Sequence, residues 1–178
     1  AFVQMCDVCQ RHKQPGQPYG HLPPGNDMAL PWEKVAVDLV GPWKISLPNI
    51  GELCFHALTI IDTTTTISKL VRIDNKTSQH VAMHFENQWL SCYPCPIRVI
   101  HDPGTEFTGI AFQSMLNINR IQPVPTTTKN PQANAVCKRM HSTVCDMFYT
   151  VLSTHPPEDV AEAYKIVDNT LASAQYAI

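Results

Sequence analysis

The stretch Trp32-Glu-Lys-Val-Ala-Val-Asp38-Leu-Val-Gly-Pro42 decides the fold. Its apolar run over residues 35–40 predicts a buried β-strand that ends at the Gly-Pro pair. Asp38 interrupts the run, and a charged group inside an apolar strand is costly unless it binds a cation or another partner. A salt bridge would also account for such an acid, so this strand alone leaves both roles open.

Beyond this strand the pattern of apolar residues predicts further strands and helices. Strands are expected over residues 54–61, 67–73, 97–100 and 121–124. Helices are expected over residues 78–91, 111–116, 130–152 and 158–174, and Asn130-Pro131 is a typical helix start. Adjacent strands followed by alternation with helices predict an α/β fold with a five-stranded mixed sheet flanked by helices.

A second acidic residue, Asp102, lies at the end of the predicted strand over residues 97–100, before Pro103-Gly104. Sheets of this type place their sites where strand ends point into a shared crevice. Two aspartates in such positions can hold Mg²⁺ through their carboxylate oxygens. A helix N-cap is the structural alternative for a single acid of this kind.

The composition is that of a globular domain, with 44% hydrophobic and 16% charged residues. A net charge of −2 and a pI near 6.5 do not indicate a wholly basic nucleic-acid-binding domain, although charge can be segregated on one surface. No apolar run approaches the roughly 18 residues of a membrane span, so we expect no membrane partner. We also expect no signal peptide in residues 1–20.

Two segments precede the predicted core. Residues 1–13 carry Cys6-Asp-Val-Cys9, and residues 14–31 contain five prolines and three glycines, which is typical of an extended linker. The odd number of cysteines, seven, favours a reducing compartment over a disulfide framework. Because the chain begins in mid-pattern and stops inside a helical pattern, we expect it to be a piece of a longer polyprotein.

Three segments in order resemble the catalytic segments of integrases from retroviruses and gypsy-type LTR retrotransposons. The first is residues 32–42, the second is His101-Asp-Pro-Gly-Thr-Glu-Phe107, and the third is Asn130-Pro-Gln-Ala-Asn-Ala-Val-Cys-Lys-Arg-Met-His141. Between Asp102 and Lys138 lie 35 residues, the spacing of the family's DDE triad. The resemblance covers nearly the whole chain and implies an RNase H-like fold.

The resemblance also implies the chemistry. Integrases of this family process the 3′ ends of element DNA and then transfer those ends to target DNA, using two metal ions about 4 Å apart. By position, Asp38 and Asp102 would be catalytic residues and ligands of Mg²⁺ or Mn²⁺. Lys138 stands where the family has its third acid, a glutamate.

Lys138 predicts a catalytically impaired copy. A protonated amine cannot ligate a metal, and its charge disfavours a nearby cation by several kcal/mol at about 4 Å and an effective dielectric near 20. We therefore expect the second metal to be lost or weakened and strand transfer to be close to absent. Asp146 is no substitute because it lies about 12 Å further along the helix, and Glu106 is an ordinary part of the second segment.

The helix that carries Lys138 is predicted to have two faces. Its core stripe is expected to contain Val136, Met140, Val144, Met147 and Val151. The opposite stripe is expected to contain Asn134, Lys138, His141 and Cys145, and to face metal and DNA; a solvated surface is the alternative. Candidate DNA-contacting residues are Glu106, Lys129, Asn134, Lys138, Arg139 and His141.

Cys6-x-x-Cys9 resembles the second half of the integrase HHCC zinc domain. We therefore expect the incomplete end of a Zn²⁺ site over residues 1–13, a linker over 14–31 and a C-terminally truncated catalytic core over 32–178. His12 and His21 are weaker candidate ligands because structural zinc needs four well-placed groups. His80 and His84 are four apart on a predicted helix, but a pair without a third ligand is weak evidence for zinc.

Three functions compete at this stage. The first is a defective integrase core, and the second is an inactive RNase H-like module retained for nucleic-acid binding or assembly. The third is a nuclease of the same fold, which the three segments and the upstream Cys6-x-x-Cys9 argue against. The resemblance implies element ends and target DNA as partners, a homo-oligomer of integrase subunits, and a nuclear location after a cytoplasmic virus-like particle stage.

Overall fold

The computed structural model describes residues 6–12, 29–47, 51–126 and 135–177. Its elements, in chain order, are α1 (Asp7–His12), β1 (Lys34–Leu47), β2 (Gly51–Asp62), β3 (Ser68–Ile73), α2 (Ser78–Phe85), β4 (Arg98–His101), α3 (Thr105–Thr108), α4 (Ile110–Ile118), β5 (Gln122–Pro125), α5 (Ala135–Thr154) and α6 (Val160–Ala177). A π-helical turn over Glu86–Leu90 extends α2. The predicted start of α5 at Asn130-Pro131 lies outside the described residues.

The five strands form one mixed sheet in the order β3-β2-β1-β4-β5. β1–β2 and β2–β3 pair antiparallel, whereas β1–β4 and β4–β5 pair parallel. Helices α5 and α6 pack on one face, and α2, α3 and α4 pack on the other. This arrangement confirms the predicted five-stranded mixed sheet flanked by helices.

β1 is the central strand of the sheet, and both of its faces are covered. Val35 and Val37 belong to the core beneath α2–α4, whereas Ala36 and Val40 belong to the core beneath α5 and α6. A strand buried on both sides requires a nearly continuous apolar run. This explains why Asp38 stands out in the sequence.

The prediction that β1 ends at Gly41-Pro42 is wrong. The strand continues to Leu47 through an irregularity, because its pairing with β2 shifts register between Val40 and Trp43. Gly41 has φ +113°, and a Cβ there would lie 3.1 Å from the carbonyl oxygen of Phe55. Glycine therefore permits a bulge at this point, and the Gly-Pro pair marks a bend rather than a strand end.

The buried stripe of α5 differs from the predicted one. Cys137, Met140, Val144 and Phe148 are buried, whereas Met147 and Val151 are only half-buried. The aromatic ring of Phe148 sets this orientation, because its centroid lies 5.1 Å from that of Trp43 and 5.4 Å from that of Phe55. α5 also contacts α6 and α1, so its buried surface is broader than a single stripe.

Of the residues predicted to lie opposite the core stripe, two face the core side instead. His141 is half-buried beside β1 and β2, and Cys145 packs against the cluster beneath α5 and α6. The side chains of Val136 and Lys138, and all of Asn134, lie outside the described residues. No helix in the described parts of the chain is both long and apolar enough to span a membrane.

Removing the ring of Phe148 tests this packing. We expect Phe148→Ala to lower the free energy of unfolding by about 3–5 kcal/mol, because it leaves a cavity between two other aromatic rings. Urea denaturation followed by tryptophan fluorescence measures the change. Tyr176→Ala is the control, since that ring is 96% exposed and its loss should cost less than about 0.5 kcal/mol. Equal losses would contradict the packing.

Candidate active site

The register of the parallel strands brings the two predicted catalytic acids together. Val37 on β1 pairs with His101 on β4. The residues that follow this pair are Asp38 after Val37 and Asp102 after His101, so the two acids are neighbours. Asp38 continues the alternation of Ala36 and so faces α5. The two carboxylates therefore lie side by side on the same face of the sheet.

Asp38 is held in a mostly buried position. Its side chain is 14% exposed, and its Oδ1 accepts a hydrogen bond from the backbone N–H of Leu39 at 2.9 Å. Its Oδ2 lies 3.9 Å from Nδ1 of His141, on the second turn of α5. β1 and α5 thus converge on this carboxylate.

Thr59 lies opposite Asp38 on β2 and connects the sheet to α5. The two residues are partners in the antiparallel register. Thr59 is fully buried, and its Oγ1 lies 3.0 Å from Nε2 of His141, so the two groups share a hydrogen bond. His141 therefore lies between Thr59 and Asp38, with one ring nitrogen directed at each.

Asp102 is fixed at both its backbone and its side chain. The Nδ1–H of the buried His101 donates a hydrogen bond of 2.8 Å to the carbonyl oxygen of Asp102, and the ring of His101 lies 5.8 Å from that of Phe107. The hydroxyl of Thr126, just after β5, donates a 2.6 Å hydrogen bond to Oδ1 of Asp102. These contacts orient the carboxylate independently of any ligand.

Cys137 shows that the start of α5 crosses over both acids. Burial raises the pKa of its thiol well above the usual value, and the negative charges of Asp38 and Asp102 raise it further. A thiol in this state is protonated and is neither a nucleophile nor a metal ligand at neutral pH. Its role here is to fill the space beneath the helix.

Lys138 directly follows Cys137 in α5 and precedes His141 by three residues. The backbone of Lys138 and Arg139 is described, but their side chains are not. Asn134 and Lys129 lie outside the described residues. The assignment of these residues to catalysis or DNA contact stays a prediction.

Glu106 is not brought to the carboxylate pair. It lies on α3, its carboxylate folds over Gly104, and its charge acts on His56. Burial lowers the pKa of His56 and the charge of Lys76 lowers it further, whereas Glu106 opposes both. By strand alternation, His56 belongs to the face beneath α2–α4, opposite to Asp38.

The donor chemistry of Asp38 and Asp102 fits a hard divalent cation. Carboxylate oxygens are the ligands that Mg²⁺ prefers, and Mg²⁺ usually keeps several waters besides one or two protein carboxylates. Among the described residues no group of three or more His, Cys, Asp or Glu is arranged to hold a metal ion. The side chain of Cys9 is not described, so the predicted Zn²⁺ site of Cys6 and Cys9 stays a prediction.

Sequence reasoning missed the residues that support the acids. Thr59 and Thr126 belong to no motif, and Cys137 is part of the third segment with no predicted role of its own. The antiparallel pairing of β1 with β2 requires a partner for Asp38 on β2, so a predicted strand register could have identified Thr59. Thr126 and Cys137 become visible only when the loop after β5 and the axis of α5 are placed.

The sheet order and the helices on both faces match the RNase H-like fold of integrase catalytic cores. The chain is similar to a chain of the simian T-cell lymphotropic virus intasome in complex with PP2A regulatory subunit B56 gamma, with a TM-score of 0.67, 18% identity, and coverage of 99% of this chain and 58% of that chain. It is also similar to the HTLV-2 integrase catalytic core domain in complex with magnesium, in its trimeric form, with a TM-score of 0.57, 17% identity, and coverage of 83% and 84%.

At these identities the similarity shows the fold. The chain spans 58% of the length of the intasome chain. No protein-family model and no curated protein matches the sequence. The gypsy-type assignment and the HHCC zinc end therefore stay predictions.

A double-mutant cycle tests the link between β2 and α5. We expect Thr59→Val and His141→Ala to show an interaction energy of about 1 kcal/mol in urea unfolding, because each variant removes one partner of a buried hydrogen bond. Thr59→Val combined with His155→Ala is the control pair, since His155 is exposed at the end of α5. The control pair should be additive within about 0.5 kcal/mol. Additivity in both cycles would disprove the contact.

Proposed function

We propose that this chain is the catalytic core of a retroelement integrase that retains two of its three acids and is catalytically impaired by Lys138. The observation that carries the proposal is the pairing of Asp38 and Asp102 by the parallel β1–β4 register, beneath the turn of α5 that contains position 138. The fold supports the integrase class. The three sequence segments support a retroelement of the gypsy type.

The two acids would bind and orient a divalent cation on the face of the sheet beneath α5. When bound, Mg²⁺ supplies Lewis-acid stabilisation of the oxygens that enter and leave at phosphorus. Asp38 is pre-positioned by the Leu39 N–H, and Asp102 by the Thr126 hydroxyl. Pre-positioned ligands lower the cost of organising the site when DNA arrives.

Position 138 is where the proposed activity fails. The charges of Asp38 and Asp102 raise the pKa of the Cys137 thiol, so the adjacent backbone of α5 lies in the same region of negative potential. A glutamate at position 138 would add a third oxygen ligand, whereas lysine adds a positive charge and no lone pair. Strand transfer, which requires the second metal in this family, would suffer most.

Lysine at this position also supports a DNA-binding role. A cation beside the acids can contact a DNA phosphate, and Lys129, Asn134 and Arg139 are the nearby candidates to extend that contact. The geometry of His141 favours positioning of Asp38 over a DNA contact, because both ring nitrogens face protein groups and the side chain is 16% exposed. Glu106 would approach DNA only from the α3 side.

The wider assignments belong to the same proposal. The chain would act on element ends and target DNA as part of a homo-oligomer, in the nucleus after a cytoplasmic particle stage. Cys6 and Cys9 would complete a Zn²⁺ site with ligands outside this chain. α1 contacts α5, so such a domain would be adjacent to the core.

Reversion of Lys138 tests the catalytic proposal. With the terminal domains of an integrase fused to this chain and Mg²⁺ or Mn²⁺ present, we expect Lys138→Glu to raise strand transfer by about 10²-fold or more, since several kcal/mol correspond to several powers of ten in rate. A gel assay with labelled element ends measures the product. Lys165→Glu, at an exposed position on α6, makes the same charge change and should not restore activity.

Activity of the unaltered chain would show that another group completes the site. Equal activation by Lys165→Glu would show that general charge, not the site, limits the reaction. Inactivity of both variants with retained metal-independent DNA binding would favour the binding-module function instead.

Metal affinity tests the carboxylate pair separately. We expect Asp38→Asn and Asp102→Asn each to weaken Mn²⁺ binding at least about tenfold, because even indirect partners of a metal ligand contribute about that much. Electron paramagnetic resonance of free Mn²⁺, with competition by Mg²⁺, measures the affinity. Glu158→Gln removes an exposed carboxylate and should leave binding unchanged. Unchanged affinity in both aspartate variants would refute the assignment.

A further inference from the structure

Two histidines on the outer helix α2 converge outside the site described above. His80 and His84 are four residues apart, so they occupy one side of the helix on successive turns. Their Nε2 atoms lie 3.1 Å apart, with ring centroids at 4.6 Å and an interplanar angle of 68°. α2 packs on the sheet face opposite to α5, so this pair is separate from Asp38 and Asp102.

The distance between the two nitrogens suits a shared metal. Two imidazole nitrogens at about 2.05 Å from one ion and 3.1 Å from each other subtend roughly 100° at that ion. This angle lies between the square-planar and the tetrahedral values. In the metal-free chain this contact is a hydrogen bond between the two rings, and ligation by both would replace it, with each Nε2 presenting its lone pair to the ion.

We propose that His80 and His84 form an exchangeable site for a borderline divalent cation, such as Cu²⁺, Ni²⁺ or Zn²⁺. Imidazole is a preferred ligand of these ions, whereas Mg²⁺ prefers oxygen. Two protein ligands leave the remaining positions to solvent, so the ion would exchange readily. The inference does not rest on the proposed integrase function.

The surroundings of His84 favour its neutral form. A histidine must be neutral to ligate a metal. Burial lowers the pKa of His84, and the charge of His80 lowers it further. Asp74 opposes this shift, but its carboxylate is engaged by Arg72 at 2.7 Å, and the charge of Arg72 again lowers the pKa of His84.

Room for an ion and its solvent ligands is available beside His80. His80 lines an open cavity of about 600 Å³ together with Met83 and Glu86. Met83 follows His80 by three residues and is 44% exposed.

Metal binding would stabilise α2 directly. The helix is eight residues long, and the Thr77 side chain makes no capping hydrogen bond at its start. A clamp between His80 and His84 would join its first and second turns. The opposite side, with Val81, Ala82 and Phe85, is already fixed in the core.

Calorimetric titration with Ni²⁺ tests the proposal. The 178-residue chain is used with Cys6→Ser and Cys9→Ser, and with saturating Mg²⁺ to occupy the carboxylate site. We expect His80→Ala and His84→Ala each to weaken Ni²⁺ binding at least about tenfold, with Cu²⁺ bound more tightly than Ni²⁺ in the parent. His155→Ala, which removes an exposed histidine elsewhere, should have no effect. Unchanged affinity in both α2 variants would overturn the site.

Nuclear magnetic resonance of the histidine ring nitrogens provides a check without mutation of α2. One equivalent of Zn²⁺ should shift the Nε2 resonances of both His80 and His84 in the same parent chain. Shifts confined to other histidines would overturn the proposal even if an alanine variant failed to fold.

Discussion

The parallel pairing of β1 with β4, in the register that sets Val37 beside His101, carries the candidate active site. The register places Asp38 next to Asp102, and strand alternation gives both side chains the same face. A shift of one residue would send them to opposite faces. The apolar cores on both sides of β1 oppose that shift, because it would move Val35 and Val37 from the core beneath α2–α4 to the core beneath α5 and α6.

Burial and charge compete at this edge of the sheet. Two partly buried carboxylates lie beneath α5, and their negative charge is felt by the thiol of Cys137. Hydrogen bonds from the Leu39 N–H and the Thr126 hydroxyl orient the carboxylates but do not neutralise them. A cation is the natural complement of such a pair. In the proposed function this complement is a divalent metal, and Lys138 supplies a competing positive charge from the protein itself.

Much of the fold could be predicted from the sequence because its signals are local. Apolar runs predict the five strands in order, and each predicted helix has a counterpart, the one expected at 111–116 being α4; the short helix α3 was not predicted. The errors came where tertiary contacts override local signals. Gly41-Pro42 reads as a strand end, yet pairing with β2 carries β1 through a bulge to Leu47. The predicted stripe of α5 is right at Met140 and Val144 but omits Cys137 and Phe148, whose burial depends on the packing of Phe148 against Trp43 and Phe55.

By itself, the sequence determined the α/β class, the order of elements and the two conspicuous acids, Asp38 inside one apolar strand and Asp102 at the end of another. These depend on periodicity and on the cost of a charge in an apolar run, which need no knowledge of distant residues. The tertiary structure alone decided that Thr59 and His141 would meet beside Asp38, that the charge of Glu106 would act on His56, and that the Nε2 atoms of His80 and His84 would lie 3.1 Å apart. Those facts depend on strand register, helix rotation and side-chain rotamers, which are set by how the whole core packs.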